Sequence, residues 1–480
     1  MSSSIKKNYL YNVLYQILTI IIPLVTTPYI SRILGAERIG VYSFRMSIAQ
    51  YFVMFAMLGI SNYGQRTCAS VRENRKEVSK TFCEIYLCQL LMSFLSIFIY
   101  IIMSFSLNGE QRIVSLILVL YVVSALLDVT WFFNGMEEFR LLTIRNAVVK
   151  ILSVALIFVF VKCENDLWKY TLIMSTGTLI GVVIYWPILH KWIDFKKVEF
   201  SKVIQHFKPI IILFIPVIAV SLYRYMDKIM LGLLGTMTEI GYYENSEKII
   251  NMPLGFINAL GIVMLPRMSN LLSKELKRSE ANRMINYSML FVCFLSCGMA
   301  FGIGGIAPNV VALLMGEDFS PCVILIRILA TTMIFFSFAN VIRTQYLIPR
   351  KKDKSYIISV FSGAIVNLAM NYLLIPKFQS IGAAIGTVMA EATVCFVQAF
   401  AVRNEMNIKK YALRGIPFVL FGTMMYNIVS RLSNVFHNVL ISTLIQIFVG
   451  IVVYVLISAI YICFSEKEIY YKLLHSLKKE

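Results

Sequence analysis

The sequence predicts an all-α polytopic membrane protein of about 14 transmembrane helices, built as two pseudo-symmetric six-helix lobes plus two C-terminal helices. Three observations predict it. The 480 residues are 58% hydrophobic and only 15% charged, against roughly 45–50% and about 25% in a soluble globular chain. Apolar runs of about 20 residues, each able to cross a bilayer core, recur from end to end. A segment near the start echoes one near the middle. The short alternating strands of a closed barrel are missing from the pattern.

The first element, in "MSSSIKKNYLYNVLYQILTIIIPLVTTPYI", has two lysines before a long apolar stretch, and the following "SRILG" is not a small-residue cleavage site. It reads as an uncleaved first span. Further apolar segments centre near 52, 93, 122, 154, 179, 222, 255, 295, 335, 365, 391, 423 and 451. The expected organisation is a first six-helix lobe over 1–190, a basic linker over 191–208, a second lobe over 209–402, and two additional helices with a tail over 403–480.

Lysine and arginine set the expected orientation. Most of the 45 fall in alternate short loops, with Arg66, Arg72, Arg75, Lys76 and Lys80 in one and Arg350, Lys351, Lys352 and Lys354 in another. By the positive-inside rule both termini face the cytoplasm. This distribution accounts for the net charge of +19 without nucleic acid as a partner. The nine cysteines form no CxxC pair, and the four histidines are scattered. Neither a metal site nor a disulfide framework is indicated. "GIGG" at 302–305 and "GAAIG" at 382–386 lack the following Lys-Ser/Thr of a phosphate loop; they read as small-residue helix packing. No cofactor is implied.

The internal echo pairs "LGAERIGVYSF" with "LGTMTEIGYYEN". At an offset of 201, Ile39 matches Ile240, Gly40 matches Gly241, Tyr42 matches Tyr243, Ile48 matches Ile249, Phe55 matches Phe256, and Arg66 matches Arg267. Pro23 and Pro216 interrupt the preceding spans. Both halves start on one side, so the repeat is parallel about an axis along the membrane normal. Transporters commonly hold substrate between such halves.

Charges inside spans are costly and mark candidate sites. "SLYRYMDKIMLG" brings Arg224, Asp227 and Lys228 onto one helical face. One reading is an Arg224–Asp227 pair with Lys228 snorkelling outward. The other is a hydrated site where cations meet an anionic ligand. Arg45 and Lys248 lie at comparable positions after the two repeat glycines, and Arg327 early in the tenth span. Asp128, Glu391 and, at the inner end of the third span, Glu84 are the embedded carboxylates. Burial raises a carboxylate's pKa, so Asp128 and Glu391 are candidates for ion coupling and equally for packing roles.

"TPYISRILGAERIGVYSF", "WFFNGMEEFRLLTIRN", "LLMGEDFSPC" and "IPKFQSIGAAIGTVMAE" resemble the Wzx-type oligosaccharide flippases. These are polysaccharide transporters of the multidrug/oligosaccharidyl-lipid/polysaccharide superfamily. The resemblance runs over about residues 8–464. It implies a bacterial inner-membrane protein that moves an undecaprenyl-pyrophosphate-linked oligosaccharide from the cytoplasmic to the outer leaflet. The pathway would be that of O-antigen, capsule or exopolysaccharide. Its implied partners are membrane lipid, a proton or sodium ion for coupling, and polysaccharide polymerase machinery. On this reading Arg45, Arg224, Lys228 and Lys248 meet the pyrophosphate, with Asp227 as partner and Arg327 as a further cation.

Two relatives within the superfamily are alternatives: a multidrug/cation antiporter, which would favour acidic groups in its cavity, and a peptidoglycan-precursor flippase. A membrane polymerase or ligase would present a sizeable outer loop with catalytic charges. The outer loops here are short and charge-poor, so a transporter and not an enzyme is expected.

Overall fold

The computed structural model describes residues 2–195, 199–272, 278–433, 435 and 438–465, with side chains described from Ile21 onward except those of Phe200, Tyr223, Arg278 and Ser465. Residues 196–198 of the basic linker and the tail over 466–480 lie outside the described residues. Those described form helices and turns, with no strand among them. The helices are α1 (Ser2–Met57), α2 (Ile60–Val71), α3 (Arg75–Phe105), α4 (Gly109–Leu127), α5 (Thr130–Gly135), α6 (Phe139–Phe160), α7 (Leu167–Val183) and α8 (Trp186–Leu189). They continue as α9 (Phe200–Leu234), α10 (Met237–Leu272), α11 (Arg278–Leu314), α12 (Cys322–Ala330), α13 (Thr332–Ile342), α14 (Asp353–Val402), α15 (Ile408–Arg431) and α16 (Val439–Ser465).

Among the described residues, 12 helical stretches are long and apolar enough to cross a membrane, fewer than the roughly fourteen expected. Two of them run for 51 and 50 residues, about 75 Å each at 1.5 Å per residue, far beyond a hydrocarbon core of about 30 Å. Each holds a break. Gly35 leaves the helix at φ 69°, ψ 172°, where the missing Cβ removes the steric penalty. Gln379 does so at φ 52°, ψ −128°.

The chain packs as two compact units, 1–244 and 245–480. In the first, α1 lies against α3, α4, α6 and α9, while α2 sits on α3, α5 and α9. Its core is aromatic: Phe82, Trp131, Phe132, Phe133 and Tyr185 are fully buried. Polarity is inverted relative to a soluble helix. On α3, Phe94, Phe98 and Ile102 are exposed, while Ser93, Ser96 and Ser104 are buried. Such a face suits hydrocarbon outside and hydrogen bonding inside.

The break after α4 shows how backbone groups are satisfied without water. Gln89 Nε2 donates to the carbonyls of Ala125 and Asp128 at 2.6 and 2.9 Å. Tyr86 donates to Leu126 O and Trp186 to Leu127 O. Trp131 Nε1 in turn donates to Gln89 Oε1 at 2.9 Å. The four carbonyls freed at the helix end are thus all taken by side chains.

In the second unit α11 packs on α12, α13, α15 and α16. One core joins Met268, Ile285, Ile342 and Tyr411; another joins Cys297, Phe418, Met425 and Tyr454. Asn309 donates to Ser442 and Gln446, and Gln446 donates to Val429 O at 2.9 Å. These bonds tie α11, α15 and α16 through polar groups buried in apolar surroundings.

Candidate functional site

α9 is apolar over Ser201–Leu222 and continues unbroken through the charged turn to Leu234. The turn is held by α10, which follows after two residues. Asp227, 4% exposed, accepts a hydrogen bond from Tyr243 Oη at 2.8 Å. Lys228 Nζ lies 2.6 Å from Glu244 Oε2, the two side chains being 13% and 16% exposed. Ser43 Oγ of α1 donates to the same Glu244 oxygen at 2.7 Å. One carboxylate oxygen therefore joins α1, α9 and α10. Lys228 is drawn inward to this node instead of reaching outward along the helix.

Arg224 differs. It is exposed, its guanidinium lies 5.9 Å from the Tyr225 ring centroid, and it makes no ion pair among the described residues. The Arg224–Asp227 ion pair is therefore not among those formed by the described residues.

The node sits where the two repeats touch. A Cβ on Gly40 would strike the carbonyl oxygen of Met237, and one on Gly241 would strike that of Ala36. Ala36 and Met237, Gly40 and Gly241, and Ser43 and Glu244 are each separated by 201 residues. Reciprocal contact between equivalent positions is what a local two-fold relation produces. Sequence reasoning named the lysine and aspartate but missed Ser43, Tyr243 and Glu244. The signal was present: Tyr243 is a matched repeat position, and Glu244 follows it directly.

The other expected residues are dispersed. Arg45 is 6% exposed, donates to Gln111 Oε1 and lies 4.9 Å over the Phe44 ring. Its Nε has no partner among the described residues. Lys248 stands half-buried in the second unit. Arg327 is exposed, donates to Gly304 O at 3.3 Å and lies 5.8 Å over the Tyr426 ring. Asp128 follows α4 and accepts from the Thr130 backbone at 2.8 Å, the work of a turn-forming residue. Glu391 is 8% exposed on α14.

A cavity of about 750 Å³ lies in the second unit, lined by Phe256, Phe294, Met299, Ile303, Ile451 and Tyr454 among others. Apart from Gln446 and Tyr454 its wall is apolar. Such a lining suits hydrocarbon and offers nothing to a diphosphate.

Comparison with known proteins now bears on these features. Over 84% of this chain and 97% of its own length, an Escherichia coli K12 protein named "Putative O-antigen transporter" is 24% identical. The capsular polysaccharide biosynthesis protein CapF of Staphylococcus aureus is 22% identical over 79% of this chain and 94% of its own. Among solved structures, the lipid II flippase MurJ in an inward closed conformation superposes with a TM-score of 0.77 at 15% identity, covering 95% of this chain and 99% of that one. An inward-facing multidrug resistance transporter of the MATE family gives 0.60 at 13% identity, covering 82% and 94%. The fold is thus that of the MurJ and MATE transporters. Residues 5–272 match the family described as polysaccharide biosynthesis protein, and the chain belongs to that family.

Proposed function

We propose that this protein is a flippase that moves an undecaprenyl-pyrophosphate-linked oligosaccharide repeat unit from the cytoplasmic to the outer leaflet of a bacterial inner membrane. The observation that carries the reading is Arg224: an exposed cation, without an ion-pair partner among the described residues, one turn from Asp227 and Lys228 on a helix of a transporter fold. A guanidinium binds a diphosphate through charge-assisted, often bidentate, hydrogen bonds. Membership in a polysaccharide biosynthesis family and likeness to a protein named for O-antigen transport support the glycan.

On this reading Arg224 meets the diphosphate first. Lys228 is held by Glu244, and transfer of its ammonium to the ligand loosens the node joining α1, α9 and α10. Arg45, Lys248 and Arg327 remain proposed contributors to a hydrated cationic path, and the prenyl tail stays among apolar surfaces. Alternating access then follows from rocking of the two repeat-related lobes. Glu391 is the proposed carboxylate for proton or sodium coupling, since Asp128 serves a turn.

Deletion of the gene followed by analysis of polyprenyl lipids tests the reading. Unpolymerised units held on the cytoplasmic leaflet are expected, and their mass identifies the glycan. Units that reach the outer leaflet and fail to polymerise would point to an enzyme, and altered drug tolerance without accumulation would point to an antiporter. Arg224→Ala is expected to lower transport at least about tenfold, the loss of one charge-assisted contact worth about 1.4 kcal/mol or more, with normal membrane insertion. Normal transport by that variant would remove Arg224 from the site.

A further inference from the structure

The first unit also contains a cluster of titratable side chains away from the charged turn. Tyr63 of α2, Glu84 of α3 and His206 of α9 form a chain: Tyr63 Oη lies 2.8 Å from His206 Nδ1, and His206 Nε2 lies 3.0 Å from Glu84 Oε2. Glu84 is 7% exposed, and its other oxygen is buried without a hydrogen-bond partner among the described residues. One turn along α3, Cys88 donates to Val203 O of α9 at 3.4 Å, so the chain sits on a close α3–α9 seam.

The geometry accepts one proton without rearrangement. With a neutral imidazole, Nε2–H donates to the carboxylate and Nδ1 accepts from the Tyr63 hydroxyl. With an imidazolium both nitrogens donate, and the hydroxyl accepts through a lone pair. Both hydrogen bonds survive; only the charge changes. Without the proton an ionised Glu84 is an uncompensated buried anion, costly in apolar surroundings. With it, His206 and Glu84 are a neutral ion pair.

Among the described residues, no other charge near the cluster offers compensation from within the packing. Arg66 on α2, Lys80 on α3 and Lys208 on α9 are exposed, and Lys202 pairs with Glu199 at 3.0 Å. Phe82, Cys83, Ile85 and Cys88 are buried neighbours of Glu84 on α3, the two thiols being the titratable groups among them. Just before α2, Gly59 meets the backbone around Ile210 and Phe214, and Tyr51 of α1 reaches Ser221 O further along. Beyond His206, α9 carries Pro209 and Pro216, each of which removes a helix hydrogen bond and permits bending, before the charged turn.

We propose that Tyr63, Glu84 and His206 form a proton-binding site that clamps the start of α9 to α2 and α3, and that loss of the proton releases it. The prolines let the clamped end and the charged turn move separately, so the proton acts on the helix that carries Arg224. That last link rests on the transport reading; the clamp does not.

Backbone hydrogen exchange of the full chain in lipid nanodiscs tests the clamp with no substrate present. Exchange over 201–208 is measured at about pH 5 and about pH 8, the range in which an imidazole changes charge. Rates are corrected for intrinsic exchange and referred to a segment of α16. The wild type is expected to open about tenfold more readily at the higher pH, and His206→Gln and Glu84→Gln to flatten the ratio to about twofold or less. A flat wild-type ratio overturns the clamp, as does full pH dependence in both variants. Should either variant lose protection in the reference segment, Tyr63→Phe takes its place: it removes the acceptor for Nδ1–H, and an unchanged ratio in it overturns the proposal. The deletion-strain lipids decide the transport reading separately.

Discussion

At the scale of single residues, the Lys228–Glu244 pair is the clearest energetic commitment. Both side chains are largely buried, and removing one partner of a buried pair leaves an uncompensated charge, at a cost of about 3 kcal/mol. Lys228→Met and Glu244→Gln should each lower thermal stability by that order. The double variant should lose less than the sum by about 1 kcal/mol or more; strict additivity in a double-mutant cycle would show that the pair is not coupled. Glu405, in the turn between α14 and α15, provides a pH-dependent case. Hydrogen bonds from Lys352 and then Tyr346, with the Lys352 and Arg350 charges, hold its carboxyl below the usual carboxylate range. A folded-state value below the unfolded one contributes stability above about pH 4.3, the ordinary glutamate value, and loses it as pH falls through the folded value. The Tm difference between wild type and Glu405→Gln should be constant near neutrality and shrink in acid. A difference that grows in acid would contradict the assignment. Arg224 and Lys228 were visible in the sequence because charges stand out in apolar runs. The partner of Lys228 was not, because Glu244 is marked in the sequence only by following a matched repeat position, and packing brings it to α9.

At the scale of elements, glycine spacing carried more meaning than glycine content. Gly40 and Gly241 face backbone carbonyls of the opposite repeat, which cannot move aside as a side chain can. Gly241→Ala should therefore cost about 3 kcal/mol, the upper range for overpacking. Gly302→Ala, whose Cβ would meet only the end of Met425 at 3.6 Å, should change stability by about 0.5 kcal/mol or less. Comparable thermal shifts in the two would mean that the α1–α10 crossing is not tight. The repeat itself was legible from six matched positions. The breaks were only partly so: Gly35 is a familiar punctuation mark, whereas Gln379 adopts a positive φ without being a glycine. Nor could the end of α4 be read fully, since its carbonyls are satisfied by Tyr86, Gln89 and Trp186 from other helices.

At the scale of the whole molecule, orientation is an expectation that one cysteine can test. Cys163 is exposed, Cys463 is half-buried and the other seven are buried. The charge distribution assigns the turn after α6 to the outer side. A membrane-impermeant maleimide should label intact spheroplasts at Cys163, and Cys163→Ser should abolish that labelling. Labelling of Cys163 only after permeabilisation would invert the topology.

By itself the sequence determined the solvent, the helical class, the repeat and the residues whose charge is out of place. All of these follow from local composition and spacing, because a bilayer demands long apolar helices and penalises every embedded charge. Only the tertiary structure decided which charges are spent on one another. Glu244 with Lys228 and Ser43, Asp227 with Tyr243, and His206 with Glu84 and Tyr63 are each brought together from separate helices. Hydrogen bonds act over about 3 Å, and no spacing along the chain specifies which side chains of different helices come within that reach.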